Sequence, residues 1–352
     1  MLKISLSFCA GTALGLLLGA SGPLAAATLA GAVGAMILIG RCGRFDTPAI
    51  LLTFLLAGMF SQCSAGLSGS IGARNPEGFY ETVLGAMISA VDRTPFRESG
   101  TGALLKALLC GDRSFLGRET IEAFRRSGAS HILALSGLHL GIIYLVVRTL
   151  LGVLGNSPAG AAARSALCVA FCGSYALVTG ASPSIVRAFL FILLREISRM
   201  FPGRSRSGES IYCTALTVHL ALNPGAIASA GFQLSYLAMA GIYTIFPRLR
   251  DWYPQDGRAG VMRRIWEMAA LSISCQLFTA PAAWLHFHTF PKYFLLTNLL
   301  ALPLTEALIV CGIAGIITNL AFKGGFPASQ AVRLTDFLAR LLTDALGVIS
   351  QM

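Results

Sequence analysis

Long stretches of mostly apolar residues recur along this chain, and polar residues gather in the short segments between them. A helix needs about 20 predominantly apolar residues to cross a bilayer. The pattern predicts roughly ten such spans, the last of them either one broken helix or two short ones. The predicted spans are 4–20, 24–40, 48–68, 131–154, 165–181, 184–200, 211–228, 229–246, 265–284 and 293–320.

Two stretches follow a different pattern. The segment 70–130 predicts short helices: one has an apolar stripe at Leu104, Leu105, Leu108 and Leu109 and stops at Gly111, and a second runs from about residue 118 to 126. The tail 332–349 predicts an amphipathic helix that lies on the membrane surface or covers part of the bundle. Its apolar face is predicted to contain Leu334, Phe337, Leu338, Leu341 and Leu342.

Composition makes lipid the solvent for much of this chain. Of its 352 residues, 55% are hydrophobic and 12% are charged, whereas a soluble domain carries about 25% charged residues. We therefore predict an all-α, polytopic membrane bundle with interrupted helices. Its predicted parts are transmembrane helices at 1–69, an extracytoplasmic helical segment at 70–130, and a core at 131–352 that ends in the amphipathic helix.

Basic residues predict the orientation. The N-terminal run could pass for a signal peptide, but a second apolar run follows it closely and favours an uncleaved hairpin. With Lys3 in the cytoplasm, every basic cluster in a short loop falls on the cytoplasmic side, as the positive-inside rule requires. That rule also accounts for most of the net charge of +11. The clusters contain Arg41, Arg44, Arg148, Arg164, Arg195, Arg199, Arg204, Arg206, Arg248, Arg250, Arg258, Arg263 and Arg264.

A first candidate site precedes the predicted span at 131–154. Ser130 is predicted to cap this helix, His131 falls in its first turn, and Arg125 and Arg126 stand just before it. A helix N-terminus beside two arginines suits a phosphate or another anion. Ordinary capping beside an interfacial basic pair explains the same residues.

A second candidate lies inside that span, where Ser136 and His139 share a helix face and Gly137 and Gly141 loosen the helix. Polar groups at membrane depth are costly unless they are paired or hydrated. Three interpretations stay open: buried packing, a water-filled path, and a serine nucleophile with its base in an intramembrane protease. The third is the weakest, because residues three apart on one helix rarely point at each other and no third orienting group is visible.

Further polar residues interrupt other apolar runs, namely Arg187, Gln233, Gln276, Asn298 and Glu306. Singly, each fits a hydrogen bond between helices or a snorkelling end. Together they favour a hydrated interior. Pro281, Pro303, Gly137, Gly141 and Gly180 are predicted to interrupt spans, as the helices of channels and transporters are interrupted.

Other chemistry finds little support in the sequence. His286 and His288 form a lone H-x-H beside aromatic residues, which predicts an interfacial patch more readily than a metal site. There is no phosphate-binding G-x-x-x-x-G-K-[ST] motif. The nine cysteines include no C-x-x-C pair and lie mostly within apolar runs. We therefore expect neither enzymatic activity nor a bound metal or cofactor.

Several short blocks, in order along the chain, resemble the ComEC-type competence family. The serine–glycine–leucine–histidine and glycine–phenylalanine–glutamine–leucine–serine blocks are the most specific of them. The matching blocks are 108–113 (LLCGDR), 123–128 (AFRRSG), 130–139 (SHILALSGLH), 180–188 (GASPSIVRA), 223–224 (NP), 231–235 (GFQLS) and 296–304 (LTNLLALPL).

The resemblance implies a channel in the bacterial inner membrane that carries one DNA strand inward. It implies a DNA receptor outside and a helicase or ATPase inside as partners, with membrane lipid around the chain and self-association left open. The residues implied to line or gate the path are Asp112, Arg113, Arg125, Arg126, Ser130, His131, Ser136, Gly137, His139, Arg187, Gln233 and Asn298.

The chain also departs from the family pattern. Family members often carry an OB-fold in the outer segment, for which 70–130 is too short. Many continue into further spans and a metallo-β-lactamase-like domain that does not follow here. A truncated frame, a fragment and a minimal form all remain open. Two other functions also stay open, a transporter of another anionic solute and, less favoured, the serine protease.

Overall fold

A computed structural model describes residues 2–19, 24–25, 27–32, 47–68, 77–155, 157–200, 207–253, 260–288, 292–322 and 325–351. These residues form helices and no β-strand, which confirms the predicted all-α fold class. The α-helices are α1 (Leu2–Leu18), α2 (Thr47–Ser68), α3 (Glu77–Asp92), α4 (Ser99–Cys110), α5 (Arg118–Arg126), α6 (Ser130–Leu133), α7 (Gly137–Leu150), α8 (Pro158–Val178), α9 (Pro183–Met200), α10 (Gly208–Leu222), α11 (Ala230–Thr244), α12 (Phe246–Asp251), α13 (Gly260–Phe287), α14 (Phe294–Phe322) and α15 (Phe326–Ser350).

Four of the described helices are long and apolar enough to cross a membrane: α7 with the 3₁₀ turn that follows it, α8, α13 and α14. The predicted span at 293–320 is one continuous helix. The predicted interruptions at Pro281 and Pro303 are wrong, because α13 and α14 continue through both prolines. Most of the predicted span at 24–40 falls outside the described residues, as do Arg41, Arg44, Arg204, Arg206 and Arg258.

The chain divides into two compact units, residues 1–75 with 190–239 and residues 76–189 with 240–352. In the first unit, α1 and α2 pack through glycines. A Cβ atom at Gly11 would lie 1.9 Å from the Leu55 carbonyl oxygen, and one at Gly58 would lie 2.2 Å from that of Phe8. Small residues of this kind let helix backbones approach closely in membranes.

In the second unit, α4 is the centre of the core. Leu104, Leu105 and Leu108 are at most 1% exposed, which confirms the predicted apolar stripe. Gly111 ends the helix in the left-handed conformation with φ of 78°, as predicted. Leu105 fits against Gly312 of α14, where a Cβ atom would lie 2.6 Å from the leucine Cδ2 atom. A helix predicted as part of a peripheral segment is therefore buried beside the middle of a long apolar helix.

Hydrogen bonds give the direction in which the α3–α4 hairpin runs along α14. Near the start of α14, the Thr297 hydroxyl donates to the Ser127 carbonyl oxygen at 2.7 Å. Near its end, the Asn319 side-chain amide donates to the Arg93 carbonyl oxygen at 3.2 Å. The turn between α3 and α4 consequently lies at the opposite end of α14 from the corner between α5 and α6.

The C-terminal helix α15 covers part of the second unit, which was one of its two predicted roles. Its buried residues recur at alternating intervals of four and three and include Val332, Thr335, Ala339, Leu342 and Leu346. Such spacing marks a seam between packed helices. Of the predicted apolar face, Leu342 packs inward, whereas Leu334, Phe337 and Leu341 are between 41% and 61% exposed.

Candidate functional site

The site centres on an interruption between α6 and α7. Ser136 has an extended backbone and precedes α7. Its N–H donates to His139 Nδ1 at 3.0 Å, and its hydroxyl oxygen lies 3.0 Å from the same nitrogen. This is the capping-box arrangement, with histidine in the place of the usual glutamate or glutamine. The longer helix therefore begins at Gly137. The prediction that Ser130 caps it is wrong, since Ser130 is the first residue of the separate helix α6 and Ala129 precedes it.

The contact between Ser136 and His139 also corrects an expectation. Within one helix the two side chains would not face each other, but Ser136 lies outside α7 and turns back towards the third helical residue. His139 is 1% exposed. Because Nδ1 accepts the backbone N–H, the neutral imidazole carries its proton on Nε2. Nε2 is buried and has no hydrogen-bond partner within the described residues.

Gly137 and Arg187, two predicted site residues fifty positions apart, are in direct contact. A Cβ atom at residue 137 would lie 2.8 Å from Arg187 Nη2 and 3.2 Å from Ala188 Cβ. The missing side chain therefore lets the guanidinium group lie against the first turn of α7. Gly180 and Ala181, with φ of 83° and 47°, form the left-handed turn that leads from α8 into α9.

The electrostatics of this contact favour an anion. A helix N-terminus carries partial positive charge, equivalent to roughly half an elementary charge, from its unpaired N–H groups. A guanidinium group beside it adds a full positive charge, so the two repel each other unless negative charge lies between or beside them. Phosphate and carboxylate groups suit such a position, because guanidinium and backbone N–H groups both donate hydrogen bonds to them.

Two hydrogen bonds, one from the predicted residue Arg113 and one from Tyr175, hold the same region in place. Arg113 Nε donates to the Leu133 carbonyl oxygen at the end of α6, at 3.0 Å. The Tyr175 hydroxyl donates to the Leu109 carbonyl oxygen at 2.7 Å. His131 is exposed, with Nδ1 3.1 Å from the Gly128 carbonyl oxygen. Arg113 and Tyr175 thus tie the chain on either side of Gly111 to α6 and α8.

Asp112 forms a local turn. Its Oδ1 accepts the Ser114 hydroxyl at 2.6 Å and the Ser114 backbone N–H at 2.9 Å. These hydrogen bonds lower the pKa of the Asp112 carboxyl group below its ordinary value, with the side-chain hydrogen bond as the largest cause. Asp112 is therefore a carboxylate at neutral pH and shapes the link between α4 and α5.

Arg125 and Arg126 stand apart from the interruption. Their side chains are 75% and 65% exposed, and both form ion pairs with Glu122, at 3.7 Å and 2.9 Å. Within the described residues, no hydrogen bond joins them to Ser136 or His139. They are accessible to an anion in solution, while Arg187 is the arginine that the structure places at the start of α7.

The last two predicted residues lie in different units. Asn298, in the first turns of α14, has an Oδ1 atom that is buried without a hydrogen-bond partner in the described part of the chain. Gln233 belongs to the first unit, where its Nε2 donates to the Ile227 carbonyl oxygen at 2.9 Å. This contact ties α11 to the preceding 3₁₀ turn.

Sequence reasoning missed a buried histidine in the first unit. His219 is 4% exposed, its Nδ1 is 3.2 Å from the Tyr236 hydroxyl, and its ring meets Phe232 edge-on at 5.1 Å. The available signal was a histidine within the apolar run 211–228. Among the described residues, no group of three or more His, Cys, Asp or Glu side chains is arranged to hold a metal ion.

The long apolar helices and the buried polar interruption define an α-helical membrane protein. Residues 108–352 match the profile of the Competence protein family, so the chain belongs to that family. It is 29% identical over 256 residues to ComE operon protein 3 of Bacillus subtilis (strain 168), and this match covers 70% of the chain and 30% of the relative. It is 26% identical over 220 residues to the Escherichia coli (strain K12) protein called Uncharacterized protein YcaI, covering 59% of the chain and 28% of the relative.

The chain thus matches less than a third of the length of either curated relative. No solved structure matches it. Family membership supports a role in competence. The matched region contains every residue that was singled out for the DNA path, from Asp112 to Asn298.

Proposed function

We propose that this chain is the membrane part of a channel that takes up single-stranded DNA across the bacterial cytoplasmic membrane during natural transformation. Membership of the Competence protein family supports this proposal, as does the similarity to ComE operon protein 3. In this role the chain moves DNA and performs no covalent chemistry on it.

One observation carries the proposal, namely the polar interruption between α6 and α7. Arg187 lies against the first turn of α7, and His139 Nε2 and Asn298 Oδ1 are buried without partners within the described residues. Buried polar groups at membrane depth are costly unless water or a ligand reaches them. A phosphodiester backbone passing this point would meet a guanidinium group and helix N–H donors, and water would hydrate the remaining polar atoms.

The proposed orientation follows the basic residues. The N-terminus lies in the cytoplasm, and the start of α7 and the α5–α6 corner face outward, where Arg125 and Arg126 would meet DNA first. A DNA receptor would deliver the strand from outside, and a helicase or ATPase would draw it in from the cytoplasm. Single-strand binders usually stack bases on aromatic rings. Phe124 is fully buried, and the centre of the Phe115 ring lies 4.0 Å from Nζ of Lys106, which also pairs with Asp92, so Phe115 lies towards the α3–α4 turn and does not supply an outer stacking ring.

Transport of a different anionic solute is the second candidate, because Arg187 beside a helix start suits any anion. An intramembrane serine protease is a weaker one. Ser136 and His139 are in contact, but Nδ1 already accepts the Ser136 backbone N–H, and no acid orients Nε2 within the described residues.

Genetic replacement tests the proposal. The gene is deleted and restored as wild type, His139→Ala or His139→Gln, and nuclease-resistant labelled DNA in the cytoplasm is measured at equal levels of membrane-inserted protein. Glutamine suits the third position of a capping box, so His139→Gln separates capping from a need for the imidazole. Deletion is expected to abolish uptake, and both substitutions are expected to reduce it.

Uptake that is unchanged after deletion would refute the DNA channel. Anion flux into vesicles that is insensitive to added DNA would favour the solute transporter. Labelling of Ser136 by a serine-reactive probe would favour the protease.

A further inference from the structure

The chain from the α3–α4 turn to the α5–α6 corner extends along most of α14. The contacts of α14 with Ser127 and Arg93 are made by Thr297 and Asn319, twenty-two positions apart. At 1.5 Å per residue they are about 33 Å apart along the helix, close to the roughly 30 Å hydrocarbon thickness of a bilayer. If α14 spans the membrane, the turn at 93–98 lies at the headgroup layer opposite the α5–α6 corner.

A cavity of about 200 Å³ lies at this turn, between the hairpin and the first turns of α15. Pro95 and Arg97 line it from the hairpin, Asn319 from the end of α14, and Ser329 and Arg333 from α15. It has several times the volume that one molecule occupies in liquid water, about 30 Å³. A phosphate group therefore fits.

The charges around the cavity are unbalanced. Lys106 pairs with Asp92 at 2.6 Å, and Arg340 pairs with Glu98, so those four charges offset one another. Arg93, Arg97 and Arg333 remain, and within the described residues none of their guanidinium groups makes a hydrogen bond or an ion pair. Among the described residues around the cavity, the remaining acid is Asp336, which is 6% exposed and accepts the Arg97 backbone N–H at 3.0 Å. Positive charge exceeds negative charge here.

We propose that this cavity binds the phosphate of an anionic phospholipid headgroup, and that α3 and α4 form a re-entrant hairpin whose turn reaches the cytoplasmic headgroup layer. Guanidinium groups are suited to phosphate oxygens, and the end of an apolar span is at the depth where lipid phosphates lie. Arginines at this end also follow the positive-inside rule. The segment 70–130 is then not wholly extracytoplasmic. This site is independent of DNA transport and lies at the other end of α14 from Ser127.

Lipid binding tests the site directly. The full chain is purified in detergent, stripped of lipid, and titrated with short-chain phosphatidylglycerol or phosphatidylcholine while bound lipids are counted by native mass spectrometry. The test variant is Arg97→Gln with Arg333→Gln. The matched control is Arg263→Gln with Arg264→Gln, which removes two exposed arginines predicted to be on the same side. Size-exclusion profiles check that each variant is folded.

Phosphatidylglycerol is expected to bind the wild type and the control with similar affinity. Its affinity for the test variant should fall about thirtyfold, the factor expected for two arginines that face anionic lipid. Equal losses in both double variants, or equal binding of phosphatidylcholine, would overturn the site. Displacement of the lipid by millimolar inorganic phosphate would show that free phosphate is the better ligand and would overturn the lipid assignment.

Membrane-impermeant thiol labelling tests the re-entrant hairpin separately. Pro95→Cys is expected to react in inside-out vesicles and not in intact spheroplasts, while Arg126→Cys, beside Ser127 at the other end of α14, should react in spheroplasts. The wild-type chain reports labelling of the native cysteines. Reaction of Pro95→Cys from the outside would overturn the hairpin and would leave the DNA proposal standing.

Discussion

Gly137→Ala is the sharpest perturbation of the candidate site, because the added methyl group points at the guanidinium of Arg187. The new Cβ atom would lie 2.8 Å from Nη2, so the guanidinium must retreat to an ordinary contact distance of 3.4 Å or more. The 3.2 Å contact with Ala188 Cβ requires a further small shift between α7 and α9.

Gly137→Ala should have a small effect on the stability of the protein and a larger effect on DNA uptake. Overpacking costs about 1–3 kcal/mol when neighbours are rigid, but Nη2 is the end of a flexible side chain and can move. Replacing glycine by alanine in a helix gains about 0.5–1 kcal/mol. The stability of the protein should therefore change by less than about 1 kcal/mol, since these terms oppose each other. A charge-assisted hydrogen bond contributes about 1.5–3 kcal/mol, so a displaced Arg187 should lower DNA uptake at least about tenfold.

The assay is cytoplasmic accumulation of labelled DNA, normalised to the amount of chain in the membrane. Gly141→Ala is the matched control, because it is the same substitution one turn further along α7 and its Cβ atom meets nothing within 4 Å. We expect normal uptake in that variant. If Gly137→Ala takes up DNA within twofold of wild type, or if both variants lose uptake equally, Arg187 at the start of α7 has no special role.

Two further predictions concern stability. Gly312→Ala places a Cβ atom 2.6 Å from Cδ2 of the fully buried Leu105 and should cost about 1–3 kcal/mol, seen as a lower midpoint of thermal unfolding. Combined with Leu105→Ala, the loss of stability should be smaller than the sum of the two single losses, because the clash is gone. Gly315→Ala, whose nearest neighbour would be 3.8 Å away, should be nearly neutral, and an equal loss there would contradict the packing argument. Ser114→Ala removes the main cause of the lowered pKa of Asp112. A lowered carboxyl pKa stabilises the fold at pH values above the ordinary aspartate pKa of about 3.9. The variant should therefore be less stable than wild type at pH 7. That difference should shrink as the pH falls below this value, and thermal unfolding at several pH values measures it; a difference that does not vary with pH would point to another cause.

Local properties of the chain were readable from the sequence. Apolar runs of the length of α8, α13 and α14 need a lipid solvent, since so few charges are available to cover them. The end of α4 at Gly111 was predictable because glycine adopts the left-handed conformation at low cost. The blocks around Ser136, Arg187 and Asn298 identified the family, although they did not reveal how these residues meet.

Contacts between helices were decided by tertiary structure. Gly137 and Arg187 meet because the turn at Gly180 brings α9 back beside the start of α7. Ser136 and His139 meet because the helix starts at Gly137, and an uninterrupted helix would have separated them.

The exposed face of α15 shows why the sequence alone did not reveal these contacts between helices. In water, an apolar face predicts burial against protein, but in a bilayer, lipid solvates apolar side chains as well as protein does. The sequence of α15 therefore reveals apolar faces without distinguishing lipid from protein. Only the packing of α4, α14 and α15 determined that Val332, Ala339 and Leu346 face inward while Leu334 and Phe337 remain exposed.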